Sequence, residues 1–555
     1  MTVPSESFAS EQPATTGQKY GRRRWLFAMA AVFWLVCTTL VLLRYYNFYP
    51  TYTAFDQGIF DQVYWNSLHG RFFESSLSSS LSSAVVHDRQ VPEVEYRRLG
   101  QHFTPALMIW LPYYALFSSP AGLSVLQVSL ITLAGLVLYV LARQHLSPQL
   151  SLWIAGSYYA ANAVLGPTVA NFHDLCQIPL YIFGLLLAME KRWWWLFALL
   201  CILTVLVRED AGVVLFSVGV YLVLSRRYPR IGLAVCVFSF VYMATLTNVI
   251  MPMISPDVSR RFTIEQFGQY VDSEEASTLQ VLWGMISHPG RFLRELLMPI
   301  DTTIKYLLAQ WLPLAFVPAL SGSAWVLAAF PLVKNMMSQD PTALSIDLRY
   351  AITIVPGLFY GAILWWARQG ERLLPRLRGP WRLCLVVALI LTVISNPNRA
   401  LSFAIPDSFQ PWVYSSPARQ WQHAQVIRSL LADVPADSGV SATTYIVPHL
   451  SNRRKLLRFP QIRLRDDAGK EVLMDYAIVD LWQLVQYQVA FDDDRERLQQ
   501  IVPAIDRLLA NRRYGMTAFE DGIAFLRLKT PSEPTALAAW QQYRESIAPI
   551  WQKDG

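Results

Sequence analysis

Residues 193–227 read WWWLFALLCILTVLVREDAGVVLFSVGVYLVLSRR. Two apolar runs, 193–207 and 211–225, flank three adjacent charges, Arg208, Glu209 and Asp210, with almost no loop between them. Each run is short for a bilayer crossing, which takes roughly 20 residues unless tilt, local thinning or flanking Trp and Tyr accommodate it. Ionisable groups at membrane depth are costly, and they face a bundle interior, a partner or a water-filled cavity. This turn therefore bears on two questions at once: the fold class, a helical membrane protein, and where function sits.

Working outward, further apolar runs occupy 25–43, 122–142, 150–170, 175–189, 230–250, 304–320, 324–337, 350–367 and 383–395. With the first two they predict eleven crossings. The chain has 555 residues, 53% hydrophobic and only 16% charged, and its mean hydropathy is +0.28. A soluble chain carries about 25% charged residues, so a wholly soluble or disordered protein is excluded. The first run follows Arg22–Arg24 and has no small-residue cleavage site, which predicts a retained helix rather than a signal peptide. Residues 1–24 read as a disordered cytoplasmic tail, 25–395 as the transmembrane domain, and 396–555 as a soluble outer domain.

The formal charge of +7 would favour nucleic acid in a soluble protein. Here the basic residues gather in alternate short loops: Arg143, Lys191 with Arg192, Arg226 with Arg227 and Arg230, and Arg368 to Arg382. That is the positive-inside pattern, with the N-terminus in the cytoplasm and no need of nucleic acid. An odd number of crossings puts the C-terminus outside. The expected location is a bacterial inner membrane. The five cysteines fall in or beside apolar runs without CxxC or zinc spacing, and read as packing residues.

Two outer loops are long, 44–104 and 251–301. In the first, FDQGIFDQVYWNSLHG (55–70) reads as an amphipathic helix on the membrane surface, with Phe55, Ile59, Tyr64 and Trp65 toward lipid. The serine-rich stretch 75–83 reads as a flexible loop. The run 105–117 contains Pro112 and reads as an interfacial or re-entrant piece. In the tail, GVSATTYIVPHL and MDYAIVDL read as strands and RERLQQIVPAIDRLLANRR as an amphipathic helix. GMTAFEDGIAFLRLK reads as a hairpin turning at Glu520-Asp521-Gly522. These predict a compact α/β domain without a nucleotide-binding motif.

On this topology the ionisable residues collect at the outer side: Asp56 and Asp61, His102, His173 with Asp174, Arg208 with Glu209 and Asp210, and Arg349 with Tyr350. Group transfer needs a general base, a cation clamp for phosphate and a substrate-orienting carboxylate, and this set supplies each. Bland readings stand beside that one. Asp210 is a candidate N-cap for the following helix, His102 a cap before Pro105, and Asp56 the polar face of a surface helix. His87, His288 and His449 read as loop histidines.

The pieces FDQGIFDQVYWNSLHG, GQHFTPALMIWLPYYALFSSP, NFHD, VREDAG and VSATTYIVPHLSNRRKLLRFP resemble an uncharacterised bacterial membrane family, domain of unknown function 2079. That family in turn resembles the GT-C glycosyltransferases, which move a sugar from a polyprenyl-phosphate carrier to an acceptor outside the membrane. The resemblance implies a lipid-linked sugar donor and a glycan, lipid or protein acceptor. It assigns Asp56 as base, with Asp61 a weaker candidate; in the mechanism read from the residues themselves, Glu209 and Asp210 are further catalytic residues that orient the acceptor or hold a divalent cation. Asp61, His102, His173, Asp174, Arg208, Arg349 and Tyr350 are then substrate-binding. Burial is expected to raise the Asp56 pKa. Two rivals are a transporter or flippase, whose charges mark a substrate path, and a non-catalytic assembly or receptor protein.

Overall fold

The computed structural model describes residues 16–49, 51, 53–255, 257, 266–271, 278–340 and 342–552. The first helix, α1 (Thr16–Tyr46), begins within the stretch expected to be a disordered tail. Once an apolar helix is nucleated, each added residue gains a hydrogen bond, so the helix runs back past Arg22–Arg24. Residues 1–15 lie outside the described residues.

After α1 come α2 (Thr53–Leu68), α3 (Pro120–Ala142), α4 (Pro148–Tyr159), α5 (Asn162–Val169), α6 (Ile178–Glu190), α7 (Trp194–Val205), α8 (Gly212–Leu224) and α9 (Pro229–Thr245). Next are α10 (Thr278–Ser287), α11 (Pro289–Leu297), α12 (Ile300–Trp311), α13 (Gly322–Met337), α14 (Val355–Gln369) and α15 (Leu374–Ser395). Among the described residues, five helical stretches are long and apolar enough to cross a bilayer: Arg23–Tyr46, Pro120–Ala142, Pro229–Ile254, Ala351–Gln369 and Leu374–Ser395. The other six apolar runs form shorter or broken helices. The run 150–170, for instance, is split between α4 and α5 around Ala160 and Ala161.

Small residues let these helices approach closely. A Cβ on Gly232 would meet the Gly219 carbonyl at 2.7 Å, which locks α8 against α9. Helix α8 also packs on α13, with Phe216 and Phe330 edge to face at 4.7 Å. At one end of the bundle, Glu190 gathers Arg227 (2.6 Å), His145 (3.0 Å) and Tyr360. The VREDAG turn lies at the opposite end, one helix length away along α8.

The C-terminal region holds α16 (Pro417–Ala432), α17 (Asp492–Ala510) and α18 (Pro534–Ser546) with a five-stranded sheet. Its strands are β1 (Val440–Ala442), β2 (Leu456–Arg458), β3 (Tyr476–Asp480), β4 (Tyr514–Glu520) and β5 (Ile523–Leu528), in spatial order β2-β1-β3-β5-β4. β1 is parallel to β2 and to β3, and β5 is antiparallel to β3 and β4. The expected hairpin is present. Asp521 (φ 50°) and Gly522 (φ 78°) take the left-handed conformations that a two-residue turn of this hand requires.

Helix α2 departs from expectation. It does not lie on a lipid surface but is clamped between the bundle and the tail domain. Phe55 and Ile59 enter the tail core beside Ile446 and Val447, while Phe60 and Tyr64 enter the bundle core. Its amides are satisfied on both sides: Gln57 donates to the Pro120 carbonyl (2.9 Å), and Gln62 to Ser76 (3.0 Å) and the Arg453 carbonyl (3.0 Å). A helix apolar on several faces is stable only when buried on several faces.

The serine stretch is likewise no flexible loop. Ser75, Ser76, Ser78 and Ser79 are buried, and Ser76 donates to the Leu456 carbonyl at 2.8 Å. Short hydroxyl side chains that find backbone partners cost little to bury. His449 is half-buried, stacked between Tyr45 (4.1 Å) and Phe48 (3.8 Å), where it pins the tail domain to the end of α1.

Candidate functional site

The VREDAG turn is sharp because α7 ends at Val205 and α8 starts at Gly212. The residue capping α8 is Ala211, which makes no side-chain cap, so the capping role expected of Asp210 is not used. Instead the Asp210 carboxylate accepts from Arg208 at 2.7 and 2.5 Å and from Lys334 on the last turn of α13. Burial works against the Asp210 charge, but Arg208 and Lys334 outweigh it and hold the carboxyl well below its ordinary range. Glu209 turns the other way. Its two oxygens accept from His102 Nδ1 (2.8 Å) and the Phe103 backbone N–H (3.0 Å). His102 thus ties the segment before Pro105 to the turn and does not cap the helix that follows.

The loop between α13 and α14 brings Arg349 and Tyr350 to the same place. Arg349 pairs with Asp56 of α2. The Tyr350 ring has three cations about it: Arg349 at 5.3 Å, Arg208 at 5.5 Å and Lys334 at 5.7 Å from its centroid. An aromatic face attracts cations, and together with the carboxylates it holds three like charges side by side. Asp174 lies 4.0 Å from Arg208 and is buried. Burial raises its pKa further than Arg208 lowers it. His173 is 1% exposed, and neither ring nitrogen makes a hydrogen bond of good geometry. Burial, then Arg349 and Arg208, push it down to about 3 against the opposing Pro167 carbonyl, so the ring is neutral at pH 7.

Nine of the ten candidates therefore gather at one end of the bundle: Asp56, His102, His173, Asp174, Arg208, Glu209, Asp210, Arg349 and Tyr350. Asp61 does not join them. Five residues beyond Asp56 on α2, it points about 140° away. There it accepts from Ser451 (2.6 Å) and Tyr114 (2.9 Å) at the junction with the tail domain. Burial pushes its pKa up to about 7. The expectation for Asp56 also reverses in sign. Burial raises its pKa, yet the Arg349 guanidinium overrides burial and holds the carboxyl below its usual range.

Two residues of this cluster escaped sequence reasoning. Lys334 is a charge inside the apolar run 324–337, and that cost alone is a signal. Arg98 sits over the Phe60 ring at 4.8 Å, and its charge acts on both Asp56 and Asp174. It came from a loop with no periodicity, so only the tertiary fold brings it in.

Part of the cluster forms one end of a cavity of about 230 Å³, while Asp56, His173, Asp174 and Arg349 stand outside its lining. Its charged end carries His102, Arg208, Glu209, Asp210, Lys334 and Tyr350, and its walls are apolar, with Phe240, Met243, Leu279, Leu282, Met285 and Phe330. Those walls come from α9, α10 and α13. Several neighbours on α9 and α10 (Val237, Val241, Trp283, Ile286) are exposed, so the apolar wall continues to the outside of the bundle. Such a shape matches a molecule with a polar head and an apolar body. Among the described residues, no group of three or more His, Cys, Asp or Glu side chains is arranged to hold a metal ion.

No curated protein matches the chain. Over residues 44–525, which include every residue of the cluster, the chain matches the family described as "Predicted membrane protein (DUF2079)", and it is a member of that family of membrane proteins.

Proposed function

We propose that the protein is a GT-C-like transferase that moves a sugar from a polyprenyl-phosphate carrier to an acceptor at the outer membrane face. One observation carries the reading: a cavity with apolar walls that ends on Arg208, Lys334 and Tyr350, with Arg349 against the same tyrosine ring just outside the lining. An isoprenoid chain fits the walls, and a phosphate fits the cations, which are preorganised for developing negative charge. The proposal includes the eleven crossings, with short helices crossing as tilted pieces, an N-terminus in the cytoplasm and the tail domain outside. The basic loops Arg143, Lys191–Arg192 and Arg226–Arg227, at the end of the bundle away from the cluster, support that orientation.

In the reaction an acceptor hydroxyl oxygen attacks the anomeric carbon. The bond from that carbon to the phosphate oxygen breaks, and its electron pair leaves with the polyprenyl phosphate. Asp56, ionised beside Arg349, takes the hydroxyl proton as the new bond forms. Arg349 then turns from Asp56 to the phosphate, so one ion pair is exchanged for another and no charge is left bare in the site. Arg208 and Lys334 share Asp210 in the resting state and turn to the phosphate oxygens when they arrive. Glu209, fixed by His102, lines the acceptor side and accepts a hydrogen bond there, with the neutral His173 buried within reach of the Arg349 and Arg208 charges.

The test is transfer from a polyprenyl-phosphate-linked sugar by purified protein in liposomes. New glycosidic product that disappears in Asp56→Asn supports the reading, and product undiminished in a folded Asp56→Asn variant sinks it. Movement of the carrier across sealed liposomes without any glycosidic bond would favour a flippase instead.

A further inference from the structure

The tail domain has a second cavity, of about 300 Å³, that the reading above leaves without a role. It opens at the carboxyl ends of the parallel strands β1 and β2, where Thr443–Tyr445 and Arg458–Pro460 leave the sheet. Open α/β sheets bind ligands at that edge. Its opposite wall is the first turns of α17.

The lining is mixed in charge. Arg458 and Arg497 share the lining with three carboxylates, Asp493, Asp494 and Glu496, and with Thr444 and Gln500. Arg497 donates to Thr444 Oγ1 at 2.9 Å. A lone anion would meet the three carboxylates and a lone cation the two guanidinium groups. A purely apolar ligand would strip water from these charged side chains and give nothing in return. A sugar ring suits the set, because each hydroxyl both donates and accepts. The cavity sits at the small end of ligand sites, room for one or two rings.

Position adds a second argument. The Arg458 guanidinium lies 4.5 Å from the centroid of the Phe55 ring, and the Asp56 charge acts on it. Arg458 therefore lines the cleft, touches the residue before Asp56 and lies within reach of the Asp56 charge.

We infer that this cleft of the tail domain binds a saccharide and presents it to Asp56 as the acceptor. The word acceptor rests on the transferase reading, whereas saccharide binding does not. The test is saturation-transfer NMR on the full-length protein in nanodiscs, free of sugar detergents. The probes are maltose, cellobiose and N,N′-diacetylchitobiose, with inorganic phosphate and calcium as controls.

The expected result is a saccharide signal that weakens at least tenfold in Arg458→Gln and in Gln500→Ala, the second being an exposed position that leaves folding intact. No saccharide signal, a signal unchanged in both variants, or a response to phosphate or calcium alone overturns the inference. Saccharide binding without any sugar transfer keeps the cleft and removes the transferase. Transfer without saccharide binding does the reverse.

Discussion

Two charged clusters in this chain are built from the same side chains and differ in what surrounds them. In the tail domain, His423 is fully buried and donates from both ring nitrogens, 2.7 Å to Asp480 and 2.7 Å to Asp521. Arg419 completes the set with 2.8 Å to Asp521 and a place over Trp482 at 4.3 Å. Each of these four ionisable side chains has a geometrically sound partner. At the bundle end, Tyr350 is ringed by three cations that share Asp56 and Asp210, and the neutral His173 has no sound partner at all. The first cluster closes on itself and holds strands and helix together. The second borders a cavity and leaves polar capacity unspent. Perturbed ionisation marks both, so it does not identify a site without an open space to act on.

The sharpest way to break this contrast is Asp56→Asn. It should lower sugar transfer by about 100-fold or more, the range lost with a positioned base, while the melting temperature changes little. A variant with normal turnover would make the bundle cluster as structural as the tail one.

Next in size is His423→Leu, which leaves the buried Asp480 without its cation and Asp521 with Arg419 alone. Losing one partner of a buried ion pair costs roughly 3 kcal/mol, read as a lower denaturation midpoint, with transfer per folded molecule unchanged. The pH dependence has a definite sign. Burial lowers the His423 pKa, but Asp480 and Asp521 outweigh it and raise it to about 9. Its contribution to stability is full below the ordinary histidine value near 6.5 and is lost as pH rises through about 9. Asp521, held down to about 2 by His423 and Arg419 against burial, loses its contribution only as pH falls toward that value. A thermal-melt series should therefore show a downward step near pH 9 that is missing in His423→Leu.

Lys334→Met should raise the KM for the lipid-linked donor about tenfold, the effect of one charge-assisted hydrogen bond. An unchanged KM would mean that Lys334 only holds Asp210. The smallest effect belongs to Asp61→Asn. Burial favours the protonated acid there, and Asn preserves the shape with Ser451 and Tyr114. Stability at pH 6 should shift by less than about 1 kcal/mol, and transfer should be unaffected. Because the pKa is raised, any stability that Asp61 contributes is present at low pH and fades as pH rises through about 7.

Much of the site was legible because charge in apolar sequence is conspicuous. VREDAG, the His173-Asp174 pair and Asp56 all stand beside apolar runs, and topology alone puts them at one end. Lys334 was equally visible but went unremarked within its run. Arg98 and the tail cleft were not legible, because loops carry no periodicity and a cleft depends on which strand ends meet. Asp61 was misplaced for a simpler reason: five residues along a helix turn a side chain to another face, and sequence does not say which face is the wet one.

By itself, the sequence determined a membrane protein with apolar helices, a polar domain after them and scarce charges worth attention, since burial cost acts residue by residue. Only the tertiary structure decided that α2 is an internal wedge rather than a surface helix and that the serine stretch is packed. It also decided that Arg349 outweighs burial at Asp56. Each of these depends on groups hundreds of residues apart, and a hydrogen bond or ion pair has an energy only once its partner is in place.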